Sequence, residues 1–245
     1  MTDPVLQEVA LATDTVFPDT KEFEKELNDA WRHYQYYYPE ASVPMVFSYI
    51  SGLDFEYPIQ LHEGILLIAL DMYLGKDYTT YGEARIPQYR IRRATHEHLI
   101  RDVMMETGNM IPSKYKEENI LLDQIIEKGK LLYFLDATLP DIHDTIKIGY
   151  SEAQLKWCKE NEPNLWAFII ENELLFSSDY EKTQKLIIDA PFTSYFPDGS
   201  PGRTGWWVGW QIVRNFMDKN ADVTIPKLME ELTARQILDN SSYNP

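Results

Sequence analysis

The chain has 245 residues, which is enough for one large domain or two small ones with a substantial core. It is 44% hydrophobic and contains 16 Tyr and 6 Trp, so a globular and not a disordered protein is predicted. The formal net charge of −16 repels phosphate backbones and argues against nucleic acid as a partner. The single cysteine, Cys158, excludes an intrachain disulfide and is predicted to serve in packing.

Membrane and export signals are not evident in the sequence. No apolar run reaches the roughly 18 residues that a transmembrane helix needs. The acidic N-terminus lacks the basic start and apolar block of a signal peptide. Taken literally, this pattern indicates the cytoplasm, whereas a trimmed N-terminus would carry no information about location.

The first forty residues are predicted to contain one helix. Residues 1–20 are interpreted as an irregular lead-in that ends at a plausible N-cap, Asp19-Thr20. Apolar and aromatic residues then recur at helical spacing over residues 21–38, and Pro39 marks the end of the helix.

Two segments are predicted to form a small sheet. Residues 43–50, VPMVFSYI, are rich in β-branched and aromatic side chains and end before Gly52, which indicates a strand. Residues 64–75, GILLIALDMYLG, are apolar through their first half and fit a buried strand, with a core helix as the alternative. Residues 76–89 are rich in Tyr, Gly and Pro and are predicted to form a loop.

The second half of the sequence has a helical pattern. Helices are predicted over residues 119–135, 152–176, 179–188, 203–219 and 225–239. Ser151 is the predicted N-cap of the second of these helices, and Pro163 is expected to break or restart it. Residues 240–245 are interpreted as a short tail. Because no strong boundary signal occurs, residues 1–245 are predicted to form a single α+β domain that is predominantly α-helical, with a small N-terminal β-sheet followed by helices.

Residues 92–105, RRATHEHLIRDVMM, come close to a zinc-protease helix. The motif His-Glu-x-x-His places two zinc ligands on one helical face and a general base between them. Read from His96, the base Glu97 is present but the second ligand position is Ile100. Read from His98, the second ligand position is Asp102 but the base position is leucine. Since neither frame supplies two ligands and a base, this helix is predicted not to perform chemistry.

Other roles are therefore predicted for the two histidines. His96 and His98 are two residues apart on a helix and point to different faces, so a surface or capping role is favoured over metal binding. His98 and Asp102 share a face, where a hydrogen bond is favoured over an adventitious metal ion.

A basic cluster stands out in this acidic chain. Arg90, Arg92, Arg93 and Arg101 form a possible interaction surface for an acidic partner or a lipid headgroup. Internal ion pairing with the many carboxylates is the favoured alternative.

Small residues and tryptophans alternate near the C-terminus. Gly205 and Gly209 form a GxxxG pattern that permits close approach of another element. Trp206, Trp207 and Trp210 supply bulk beside them. Packing is predicted, with an exposed glycan-stacking platform as the alternative.

Four segments resemble, in order and approximate separation, the gliding-motility lipoprotein B (GldB) family. They are GILLIALDMYLG, LLDQIIEKGKLLYFLDATLPD, IGYSEAQLKWCKENEPNLWAFIIENELLFSSD and SPGRTGWWVGWQIVRNFMDKN. The resemblance extends from residue 46 to the C-terminus, and residues 1–40 match only loosely. It implies a lipid-anchored, periplasm-facing protein of the cell envelope, although the lipidated cysteine and signal peptide of family members are absent from this chain.

The same layout is similar, more distantly, to predicted zinc proteases of the zincin type. That resemblance places Gly129 on the glycine of a Glu-Gly motif and Lys128 at the position of the third zinc ligand. A protonated lysine has no lone pair to offer a metal. The resemblance therefore implies a degenerate zincin-like core without metal or cofactor, whose former site comprises His96, Glu97, His98, Ile100, Asp102 and Lys128.

The function implied by the family is non-enzymatic. The protein is expected to be a structural or accessory component of a gliding motility or associated protein-secretion assembly, with protein components of that assembly as partners. The alternative is a zinc-dependent metallopeptidase that uses His96, Glu97 and an unidentified third ligand.

Overall fold

The structure, a computed structural model, describes residues 3–115, 118–196 and 199–245. Its internal contacts divide the chain into two compact units, Met1–Met110 and Ile111–Pro245, called here the first unit and the second unit. Most of the described residues are helical, and a three-stranded sheet lies in the first unit, which confirms the predominantly α-helical α+β class. The single-domain organisation stays a prediction.

In the first unit, helices precede and follow the strands of the sheet along the chain. Its elements are α1 (Pro4–Val16), α2 (Lys21–Tyr37), β1 (Met45–Tyr49), β2 (Ile59–His62), β3 (Ile65–Ala69), a 3₁₀ turn (Leu70–Met72), α3 (Thr80–Glu83), α4 (Gln88–Ile91) and α5 (His96–Asn109).

The sheet has the order β1-β3-β2, with the predicted buried strand β3 at its centre. β1 pairs with β3 in parallel, and β2 pairs with β3 antiparallel. β2 was not predicted, because it has only four residues. It turns into β3 through Glu63 and Gly64, which both have positive φ, as a tight hairpin requires.

Two sequence predictions for the first unit are wrong. The irregular lead-in over residues 1–20 contains α1, which Asp3 caps by accepting a hydrogen bond from the backbone N–H of Val5. Its buried face consists only of Val9 and Thr13, so the apolar pattern was too weak to indicate a helix. The predicted loop over residues 76–89 contains α3 and the start of α4.

The second unit is helical in its described part. Its elements are α6 (Leu121–Thr138), α7 (Asp144–Ile148), α8 (Glu152–Glu171), α9 (Tyr180–Ile187), α10 (Thr204–Lys219), a π-helical turn (Lys227–Glu231) and α11 (Ala234–Ser241).

α8 begins as predicted, but Pro163 does not break it. Ser151 forms a capping box with Gln154, and the helix runs to Glu171. Its buried side chains, Leu155, Cys158, Leu165 and Ile169, keep helical spacing across the proline. Pro163 has no N–H to donate to the carbonyl group of Lys159, four residues earlier in the helix. Both residues are exposed, so water can bind this carbonyl group and the helix continues. The Cys158 side chain is buried in the core, which confirms the predicted packing role, and this burial raises the pKa of the thiol.

Two predictions for the C-terminal segment also need correction. The helix predicted over residues 225–239 is divided into the π-helical turn and α11, which begins at a capping box formed by Thr233 and Gln236. The predicted tail over residues 240–245 contributes to the core, since Tyr243 is buried and its hydroxyl donates to the Glu162 carboxylate at 2.9 Å.

The centre of the second unit is the crossing of α6 and α10. A Cβ atom added to Gly209 would lie 1.7 Å from the carbonyl oxygen of Ile125, and one added to Gly129 would lie 2.3 Å from the carbonyl oxygen of Gly209. The two backbones therefore touch. Trp207 and Trp210 are 2% and 0% exposed. The predicted packing role of the GxxxG segment is confirmed.

An ion-pair cluster fastens α7 to this crossing. The Asp136 carboxylate accepts hydrogen bonds from Arg214 and Lys147, and from the indole N–H of Trp210 at 2.9 Å. Arg214 also binds Asp144 and lies 3.7 Å from the centroid of the Trp210 ring. In this half-buried position, the mutual hydrogen bonds replace the water that these charged groups lose on folding.

Candidate functional site

The helix that carries the zinc-protease-like residues is α5. Thr95 precedes it with an extended backbone, and its hydroxyl contacts the Glu97 carboxylate at 3.1 Å. Glu97 lies in the first turn, where a carboxylate interacts favourably with the helix dipole. Glu97 can therefore stabilise the N-terminus of α5 without any role in catalysis.

His96 contacts another helix of the first unit. Its Nε2 atom lies 2.9 Å from Oε2 of Glu26 on α2. The Phe17 ring stacks on the imidazole with a centroid distance of 6.1 Å. The side chain is partly exposed, so the predicted surface role agrees with its position. Its contacts connect α5 with α2 through Glu26 and with the segment between α1 and α2 through Phe17.

His98 was predicted to have a surface or capping role, and the surface alternative is wrong because the residue is buried. It is 6% exposed, and its Nδ1 atom lies 2.8 Å from the hydroxyl of Thr95, the residue at the helix N-cap. Burial lowers the pKa of His98 to about 4, because desolvation penalises the imidazolium. The side chain is neutral at pH 7 and packs inside the first unit.

Ile100 and Asp102 occupy the two alternative positions of the second ligand. Ile100 is 4% exposed and belongs to the core. Asp102 accepts hydrogen bonds from the Tyr73 hydroxyl at 2.9 Å and from Arg101 at 2.6 Å. Burial raises the pKa of Tyr73, which keeps this hydroxyl protonated as a donor. These contacts replace the predicted hydrogen bond between His98 and Asp102.

Lys128 lies on α6 in the second unit. Its ammonium group is 2.9 Å from the Glu127 carboxylate and 5.7 Å from the centroid of the Trp206 ring. Both contacts are made by the ammonium group, which has no lone pair for a metal ion. Among the described residues, no group of three or more His, Cys, Asp or Glu side chains is arranged to hold a metal ion.

The four arginines of the basic cluster have different environments. Arg101 is buried and paired with Asp102, which agrees with the favoured alternative of internal ion pairing and removes this residue from the possible interaction surface. Arg92 is exposed. Arg90 and Arg93 are half-buried and, together with Arg101, line a cavity of about 520 Å³ in the first unit.

This cavity was not predicted from the sequence. Its walls come from residues 55–62, from the turn after β3, and from residues 81–106. The apolar and aromatic part of the lining includes Tyr57, Met72, Ile86, Ile91 and Met105. The sequence indicated the basic side of the cavity through its arginine cluster. The apolar wall could not be predicted, because folding brings its residues together from separate segments.

These observations define an α+β, mainly helical protein in which the histidines of α5 contact neighbouring residues of the fold. The sequence profile of the gliding motility protein GldB family matches residues 1–245, and the chain belongs to this family. Membership in this lipoprotein family indicates association with the cell envelope. No curated protein and no solved structure gives a significant match. In the part of the chain that the structure describes, no helix has the length and apolarity to cross a bilayer.

Proposed function

We propose that this protein is a non-enzymatic component of a gliding motility or associated protein-secretion assembly, in which it has a structural or accessory role. In this proposal a zincin-like core has lost its metal site. The protein would face the periplasm through a lipid anchor carried by the full-length precursor, and its partners would be protein components of the assembly.

The observation that carries the proposal is that each group at a ligand position already has a structural partner. His96 contacts Glu26, and His98 is buried against Thr95. Ile100 has no donor atom and is in the core. A zinc site would have to release these contacts and still obtain two further ligands.

The nature of the third position adds to this argument. The zincin resemblance assigns it to Lys128, which is paired with Glu127. Metal binding would require loss of a proton and of this pair beside a dication. A structural role, in contrast, is compatible with the contacts that these residues already make.

The proposal is tested by complementation in the bacterium of origin after deletion of the gene. Colony spreading is expected to be lost and then restored equally by the wild-type gene and by Glu97→Gln and His96→Ala variants, because neither side chain is assigned a chemical role. Glu97→Gln removes the charge needed for a general base while keeping the size of the side chain.

Protein abundance in the envelope fraction is the control, measured by immunoblotting for each variant. Unchanged spreading after deletion would refute the role in motility. Loss of spreading in Glu97→Gln at wild-type abundance would favour the metallopeptidase that uses His96 and Glu97.

A further inference from the structure

The cavity of the first unit combines an apolar wall with guanidinium groups. Its volume of about 520 Å³ is within the range of small-molecule sites, roughly 300–1,000 Å³. The wall contains Tyr57, Ile86, Ile91 and Met105, and the polar side contains Arg90, Arg93 and Arg101 as well as three carboxylates. A few polar groups beside an apolar wall are typical of ligand sites.

The charge of the lining differs from the charge of the whole chain. The cavity has as many arginines as carboxylates, the latter being Glu56, Asp102 and Glu106, whereas the chain carries a net charge of −16. These opposite charges balance in the lining, whereas the chain as a whole carries an excess of negative charge that repels anions. The charge balance of the lining is therefore compatible with an anionic ligand.

The Asp102 carboxylate inside the cavity is itself held by the protein. It accepts from the Tyr73 hydroxyl and from Arg101, so two donors stabilise its negative charge. Arg93 is oriented by the hydrogen bond from its Nε atom to the Tyr89 carbonyl at 3.2 Å. Arg90 and Arg93 are three residues apart across the end of α4 and line the same cavity.

We propose that this cavity binds a small organic anion, a carboxylate or a phosphate attached to an apolar or aromatic body. Arg90 and Arg93 contact the anionic group, since guanidinium forks match carboxylate and phosphate oxygens in pairs. The apolar body lies against Tyr57, Ile86 and Met105. The inference concerns the first unit alone and does not depend on the proposed role in motility.

The test is calorimetric titration of the full chain with phenyl phosphate, and with inorganic phosphate and phenol as its two halves. Phenyl phosphate is expected to bind more tightly than either half. Arg90→Ala and Arg93→Ala are each expected to weaken it about tenfold or more, because each removes charge-assisted hydrogen bonds.

The matched control is Arg92→Ala. Arg92 lies in the same segment and its replacement changes the net charge equally, but it is exposed and does not line the cavity. Its effect on phenyl phosphate binding is expected to stay within about twofold. Equal weakening in Arg92→Ala and Arg93→Ala would overturn the proposal, because it would indicate general charge attraction. Absence of saturable binding by every probe would also overturn it.

Two further variants separate binding from folding. Arg93→Lys keeps the charge and is expected to weaken binding because it loses the paired geometry. Tyr57→Ala alters a largely exposed side chain and is expected to weaken phenyl phosphate while leaving inorganic phosphate unchanged. Melting temperatures report folding, and unchanged phenyl phosphate affinity in both folded variants would contradict the assigned contacts.

The anion has two possible sources with the same chemistry, a lipid headgroup and a free metabolite. Dihexanoyl phosphatidic acid below its micellar concentration represents the first source, and phenyl phosphate represents the second. Tighter binding of the phosphatidic acid that depends on Arg93 assigns the site to a lipid headgroup. Tighter binding of phenyl phosphate with the same dependence assigns it to a free anion.

Discussion

Replacement of Gly209 by alanine is expected to unfold the second unit at temperatures where the wild type is folded. The added Cβ would lie 1.7 Å from the carbonyl oxygen and 2.5 Å from the carbonyl carbon of Ile125. Both atoms belong to the α6 backbone, so no side-chain rotation relieves the clash. The helices must separate, and the loss of packing is expected to cost about 3 kcal/mol or more. Circular dichroism melting and hydrogen exchange of α6 and α10 peptides measure the effect.

The matched control is Gly82→Ala, which makes the same chemical change. A Cβ at Gly82 meets no atom within 4 Å, and this glycine is an exposed residue of helix α3. Alanine is the better helix former, so a neutral or slightly stabilising effect is expected. Wild-type exchange protection of α6 in Gly209→Ala would contradict the close crossing of α6 and α10.

Acidification is expected to destabilise the first unit through His98. Burial lowers the pKa of His98 to about 4 in the folded state, whereas an unfolded histidine has a pKa of about 6.5. Between these values the unfolded state binds a proton that the folded state does not. The free energy of unfolding therefore falls as the pH falls from 6.5 to about 4, by an amount on the order of 3 kcal/mol.

The measurement compares wild type and His98→Gln, which keeps a polar group near Thr95 without titrating in this range. Guanidinium unfolding is followed by hydrogen exchange of α5 peptides at several pH values, and the wild type should lose its stability relative to the variant as the pH falls. His62→Gln is the control, because His62 is exposed on β2. A parallel pH dependence of wild type and His98→Gln would show that folding does not lower the pKa of His98.

The sequence was most informative where local periodicity and burial act together. β3 and α10 were predicted because apolar residues dominate them, and the close approach at Gly209 was indicated by its small-residue spacing. α1 was missed because only Val9 and Thr13 of that helix are buried. The break expected at Pro163 does not occur, because the packing of Leu165 and Ile169 continues the helix beyond the exposed proline.

The candidate site was predictable only in part. The spacing of His96, Glu97 and Ile100 showed which ligand was missing, because helical positions follow directly from sequence. The burial of His98 could not be read from its neighbours, since its burial depends on the elements packed around α5. The cavity likewise joins residues near Tyr57 with residues near Arg93, and only folding brings these segments together.

We propose that α5 holds no catalytic metal, and the zinc content of the purified protein is the measurement that decides this. The measurement is made by mass spectrometry before and after dialysis against a strong chelator, with His96→Ala and the exposed-site control His62→Ala alongside. We predict far less than one zinc per chain, equal in all three proteins and lost on dialysis. Close to one zinc per chain that resists dialysis, and disappears in His96→Ala but not in His62→Ala, would contradict the claim.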